Sequence, residues 1–205
     1  MGGTHGRRTM KTSYKKSNLH TRPTPFICAV NGSSRKNGET ANALKRILRD
    51  ARALGAKTQL ISLSQSSLQF CDGSQEPKIR QDLKEIIKTL KKADGIVFGT
   101  PTYWFNMSGL MKNFIDRLTV TEKDWMLDYK VAGFVVTGSK YEDGAMMTIT
   151  AMAAAMNHLG TVIFPYSMLY FRGRSGPMWA KKDHQAFAKR MLHMIDLIQD
   201  GGPAD

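Results

Sequence analysis

Phe26-Ile27-Cys28-Ala29-Val30-Asn31-Gly32-Ser33-Ser34-Arg35-Lys36-Asn37-Gly38-Glu39-Thr40 runs from an unbroken apolar segment into a turn of Gly, Ser, Arg and Asn, and an amphipathic pattern follows. Residues 26–30 read as a fully buried parallel strand. Leu44, Ile47, Leu48, Ala51 and Leu54 then recur at helical spacing, with Gly55 at the expected C-terminal cap. Strand, turn and helix together make a phosphate cradle. The helix N-terminus offers unpaired N–H groups and the positive end of its dipole, and Gly32 and Gly38 let backbone approach an anion closely.

Outward from this unit the alternation continues. Residues 58–63 read as a second strand, and Ile79, Leu83, Ile86, Ile87 and Leu90 as one face of a helix leading to a buried third strand at 95–99. A helix from about Ser108, a plausible N-cap, carries Leu110, Met111, Phe114, Ile115 and Leu118. Residues 131–137 form a fourth strand, 145–159 a helix stopped by Gly160, 161–166 a fifth strand, and 181–199 a last helix. The segment 166–179 is aromatic and Gly-rich without periodicity. Five strands alternating with helices specify an α/β three-layer sandwich, a five-stranded parallel sheet of order 2-1-3-4-5 with helices on both faces.

In such a sheet a ligand sits beyond the carboxyl ends of the strands, where strand order reverses. Three loops then matter: 32–40, 100–106 and 138–144. The first offers Ser33 and Thr40 hydroxyls and the side chains of Arg35 and Asn37. It is not a nucleoside triphosphatase loop, because five residues separate Gly32 from Gly38 and Glu39 stands where the lysine belongs. A monoester phosphate fits better. The second loop, Pro101-Thr102-Tyr103-Trp104-Phe105, sets three aromatic rings beside a rigid turn, as a planar heterocycle would require. Covering core or an interface is the competing role for those rings.

The 205 residues, 41% hydrophobic and 23% charged, suit one domain. Of a formal net charge of +13, six units sit in residues 1–25, which hold no acidic residue, leaving +7 on 26–205. Residues 1–25 therefore read as a basic, flexible tail and 26–205 as the folded domain. The moderately basic body suits anionic ligands; no specific nucleic-acid partner is expected. No apolar run is long enough to span a membrane, and two distant cysteines make neither a disulfide framework nor a thiolate metal site. A soluble cytoplasmic protein without a metal centre is expected.

Gly-Ser-Ser-Arg-Lys-Asn-Gly-Glu-Thr at 32–40, Thr-Pro-Thr-Tyr-Trp-Phe-Asn-Met-Ser-Gly-Leu-Met-Lys-Asn-Phe-Ile-Asp-Arg-Leu at 100–118 and Thr-Gly-Ser at 137–139 resemble the NADPH-dependent FMN reductase family of flavodoxin-like proteins. The flavour is that of its iron-sulfur flavoprotein and multimeric flavodoxin branch, over residues 26–198. The resemblance implies that Ser33, Arg35, Asn37, Gly38 and Thr40 hold the FMN phosphate. By the same resemblance Pro101, Thr102, Tyr103, Trp104 and Phe105 border the isoalloxazine, and Gly138, Ser139 and Tyr141 approach its other side. Lys112, Asp116 and Arg117 would orient their helix, and Lys140 is a candidate cation near the ring. No side chain is assigned as a catalytic acid or base.

The implied activity is hydride transfer from NADPH or NADH to FMN and onward to a quinone, azo, nitro or flavin acceptor. A non-enzymatic FMN carrier and a flavin-free binding module are the alternatives. Cys71 stands alone where that branch has clustered cysteines, so no iron-sulfur centre is expected. Met146, Met147, Met152 and Met156 on one helix suggest core and subunit packing in a homodimer or homotetramer.

Overall fold

The computed structural model describes residues 23–73, 81–138, 142–172 and 180–201. In chain order they form β1 (Phe26–Asn31), α1 (Glu39–Ala53), β2 (Lys57–Ser62), α2 (Gln81–Lys92), β3 (Gly95–Tyr103), β4 (Asn106–Met107), α3 (Gly109–Arg117), β5 (Val131–Gly138), α4 (Glu142–His158), β6 (Val162–Arg172) and α5 (Ala180–Gly201). Five strands pair in parallel in the order β2-β1-β3-β5-β6. Flavodoxin-like order 2-1-3-4-5 is thus realised, with one addition: β4 is a sixth strand, two residues long and antiparallel to β3.

Alternate residues of the central strands face opposite layers. Ile27, Ala29, Val97 and Val135 pack with Leu44 and Ile47 of α1 and Phe187 and Met191 of α5. Cys28, Val30, Phe98 and Phe134 pack with α2, α3 and α4 through residues such as Leu90, Phe114 and Met152. Burial on both faces is why these strands are continuously apolar. The helix stripes supply the rest, each fully buried Leu or Ile contributing about 1.5–3 kcal/mol.

Register decides where the site lies. Asn31 pairs with Gly99, Pro101 with Thr137, and Thr137 with Phe171, so β1, β3, β5 and β6 end along one edge. Backbone turns away on opposite sides of β1 and β3, which is the switch point of an open α/β sheet. Gly32 N–H donates to the Gly99 carbonyl at 2.7 Å, and a Cβ on Gly32 would sit 2.7 Å from the Met111 Cβ. Only glycine lets the end of β1 lie this close to α3. Ser108 caps α3 as expected, accepting the Met111 N–H, while its hydroxyl donates to the Gly32 carbonyl at 2.5 Å.

Two boundaries differ from the sequence reading. Residues 100–106 are not a loop: β3 runs on to Tyr103 and turns back through Trp104 and Phe105 into β4. Both turn residues have positive φ, 47° and 63°, the type I′ geometry that normally selects Asn-Gly, so their composition hid the hairpin. The fifth parallel strand does not stop at Tyr166 but continues to Arg172. A bulge around Pro165 and Tyr166, where φ is 62°, shifts the pleat, and alternation restarts out of phase beyond it. Residues 1–22, Ile79, Lys140 and the 173–179 part of the aromatic segment lie outside the described residues.

Candidate functional site

The turn between β1 and α1 is wound by its own side chains. Asn31 Oδ1 accepts the Ser33 N–H at 3.1 Å, and Ser33 Oγ accepts the Arg35 N–H at 3.2 Å. Gly38 N–H donates to the Arg35 carbonyl at 3.2 Å, closing the loop on itself. Gly38 is also the N-cap of α1, extended and without a side chain to cap the helix. The first-turn amides therefore begin at the cleft with the positive end of the helix dipole behind them.

Ser33 and Thr40 are buried, while Arg35 and Asn37 are exposed at the rim. Thr40 Oγ1 lies 2.7 Å from Thr137 Oγ1, fastening the start of α1 to the end of β5. Asn37 Oδ1 accepts from Lys45 Nζ at 3.2 Å. The arrangement suits an anion: buried hydroxyls below, uncapped amides behind and a guanidinium in front.

This turn opens on a cleft of about 1110 Å³. Ser33, Arg35, Asn37, Gly38 and Thr40 line it, together with Pro101, Thr102 and Tyr103 from β3 and Gly138 from β5. Nine of the residues singled out from sequence thus meet around one space. Trp104 and Phe105 are not among its lining residues: Trp104 is 95% exposed at the hairpin tip, and Phe105 packs toward Gly144 at the start of α4. Ser139 and Tyr141 lie outside the described residues.

Seven lining residues escaped the sequence reading: Glu39, Asn42, Ala43 and Arg46 of α1, Thr137, Phe171 and His184. The α1 four recur at helical spacing from the cradle, a signal available in the sequence. Nothing local marks Phe171 or His184, which tertiary packing brings to α1.

Elsewhere the described residues offer little chemistry. Cys28 is fully buried in the core, where burial pushes its thiol up to about 12 from 9.0. Cys71 is exposed, and its N–H donates to Asn113 Oδ1 at 2.9 Å. Lys112 and Asp116 form an exposed ion pair at 2.5 Å along α3, as an orienting role would have it. Among the described residues no three His, Cys, Asp or Glu side chains gather as a metal site, and no helix is long and apolar enough to cross a membrane.

Comparison with known proteins agrees with the geometry. Residues 25–174 match the family model described as NADPH-dependent FMN reductase. An iron-sulfur flavoprotein of Archaeoglobus fulgidus is 28% identical over 198 residues, covering 85% of this chain and 97% of that protein. Bacillus subtilis YwqN, whose name describes an NAD(P)H-dependent, FMN-containing oxidoreductase, is 31% identical over 187 residues, covering 84% and 99%. Among solved structures, RosB with a bound 8-demethyl-8-formylriboflavin-5'-phosphate superposes with a TM-score of 0.73 at 15% identity, covering 88% of this chain and 82% of RosB. A flavodoxin-like WrbA-type protein of Agrobacterium tumefaciens gives 0.65 at 15% identity, covering 85% and 99%.

Proposed function

The chain belongs to the NADPH-dependent FMN reductase family, and on that premise we propose that it passes electrons from NAD(P)H to a small-molecule acceptor of the quinone, azo, nitro or flavin class. It is an oxidoreductase whose cofactor is FMN and whose donor is NAD(P)H. The observation that carries the residue assignment is that an anion cradle after β1 and an aromatic strand end after β3 share one cleft.

The residues fit the cofactor. An uncapped helix N-terminus with two buried hydroxyls and a rim guanidinium matches a phosphate monoester, without the lysine that a triphosphate would want. Ser33, Arg35, Asn37, Gly38 and Thr40 hold that phosphate. Pro101, Thr102 and Tyr103 border one side of the ring and Gly138 the other, with Trp104 and Phe105 following Tyr103 in the hairpin. Ser139 and Tyr141 belong to the same assignment by their place in the motif. Bound FMN supplies hydride acceptance and one- or two-electron delivery.

The chain's part is to bind and orient. The α1 dipole and Arg35 neutralise the phosphate, and the Thr40–Thr137 contact fixes the cradle against the strand end that meets the ring. No side-chain proton transfer is assigned. Two cysteines, one sealed in the core, cannot supply the four thiolates of a cubane cluster.

Purified protein should be yellow, and anaerobic NADPH should bleach its flavin absorbance. An acceptor screen against quinones, azo dyes, nitroaromatics and free flavin then identifies the oxidant. Yellow protein that NADPH and NADH both fail to bleach would mark a carrier instead.

A further inference from the structure

The cleft is larger than the residues assigned above require. At about 1110 Å³ it exceeds the range of roughly 300–1,000 Å³ usual for a drug-sized ligand. Its surplus wall has a consistent source: Glu39, Asn42, Ala43 and Arg46, at i, i+3, i+4 and i+7, form one stripe of α1 facing the space. Across from them stand Phe171 and His184, stacked at 4.8 Å between centroids with 8° between planes. Thr137 connects the two walls, for it pairs in register with Phe171 and touches Thr40 at the head of the stripe. Phe171 packs against the same core layer as α1 and α5, so this compartment leads from the cradle into the gap between those helices.

We infer that this compartment binds an adenylate, the AMP half of a dinucleotide. Phe171, half-buried and backed by the buried His184 ring, offers a flat apolar wall, and Ala43 opposite is small enough to leave room for a planar base. Asn42 carries a donor and an acceptor together, matching the edge of a purine. Glu39 accepts from ribose hydroxyls, and Arg46 meets phosphate oxygens in a fork. Inorganic phosphate would leave the aromatic wall unused; an apolar acceptor would leave Arg46 unused. A nucleotide uses both. The inference rests on the cradle being the flavin phosphate site, and the adenylate belongs either to NAD(P)H or to a flavin adenine dinucleotide.

Calorimetric titration separates these sources. ADP is titrated into FMN-loaded protein, and FMN, FAD and ADP are each titrated into flavin-stripped protein, with R46Q and N42A in parallel and circular dichroism as the folding check. ADP binding to loaded protein, weakened about tenfold in R46Q while FMN affinity stays within twofold, supports the compartment with NAD(P)H as its source. ADP binding to stripped protein only, with FAD tighter than FMN by a margin that R46Q removes, supports it with FAD as the source. ADP bound by neither form, FAD no tighter than FMN, or ADP binding unchanged in both variants would each overturn it while leaving the flavin site standing. Stripped protein that takes ADP in an Arg46-dependent way but refuses FMN would overturn the cradle assignment and keep the compartment.

Discussion

Thr40 and Thr137 are 97 residues apart in sequence, and their hydroxyl oxygens are 2.7 Å apart in space. If Thr40 donates to a phosphate oxygen, it accepts from Thr137, so the strand-end hydroxyl fixes the direction of the cradle hydroxyl. Thr137→Val keeps the shape and removes that bond. A neutral hydrogen bond contributes about 0.5–1.5 kcal/mol, so FMN dissociation constants should rise about 2–10-fold, read by quenching of flavin fluorescence. An unchanged constant would assign the pair to folding alone. Thr40 could be picked out from sequence because the cradle is contiguous; Thr137 could not, because only strand register brings it there. The cysteines give a second expectation. DTNB should titrate the exposed Cys71 quickly and reach Cys28 only on unfolding. With the Cys28 thiol held at about 12 against 9.0, the unfolded chain loses that proton first, so stability falls with pH from about 9 toward 12. The slope approaches about 1.4 kcal/mol per pH unit, and Cys28→Ala should lose it in urea melts across that window.

Among the elements, β1, α1, β3, α3 and β5 were legible because each buries a regular pattern: continuous runs in central strands, 3.6-residue stripes in helices. What stayed hidden were the features that break a period. The β3–β4 turn places Trp104 and Phe105 at positive φ, where bulky side chains are strained by about 1–3 kcal/mol each, and no local rule would choose them. The bulge in β6 puts Pro165 and an αL Tyr166 inside a strand, with Arg190 4.1 Å over the Tyr166 ring. A Pro and a bulge also blunt this edge of the sheet against pairing with other chains. The hairpin makes a direct forecast. W104N/F105G supplies the residues a type I′ turn prefers and should raise stability by about 1–3 kcal/mol in urea unfolding, despite deleting two aromatic rings. A fall would show that Phe105 against Gly144 contributes more than the strain costs. A rise would mean that the wild-type rings are kept there for something other than folding.

For the molecule as a whole, that something is best sought at the surface. Trp104 is 95% exposed, Phe105 and Tyr103 nearly half, and Met146 and Met147 about 60%. Phe105 approaches Gly144, so the hairpin tip and the first turns of α4 adjoin. On the same helix Met152 and Met156 are fully buried, so α4 is apolar toward solvent as well as toward the core, unlike the one-sided stripes of α1 and α2. Aromatic and Met side chains clustered in this way are the composition of an interface core rather than of a solvated face. A homodimer or homotetramer closed through this patch would set one chain's hairpin near the partner's cleft mouth, giving Trp104 and Phe105 a role the isolated chain does not give them. Light scattering behind size exclusion should therefore report a multiple of the 22.9 kDa chain mass. Trp104→Glu and Met147→Glu, both at exposed positions and so harmless to the core, should shift it toward the single-chain mass. The two variants should retain the wild-type circular dichroism and unfolding midpoint of the dissociated chain. A wild type of single-chain mass at micromolar concentration would end the oligomer proposal, and multimers unaffected by both charges would move the interface elsewhere.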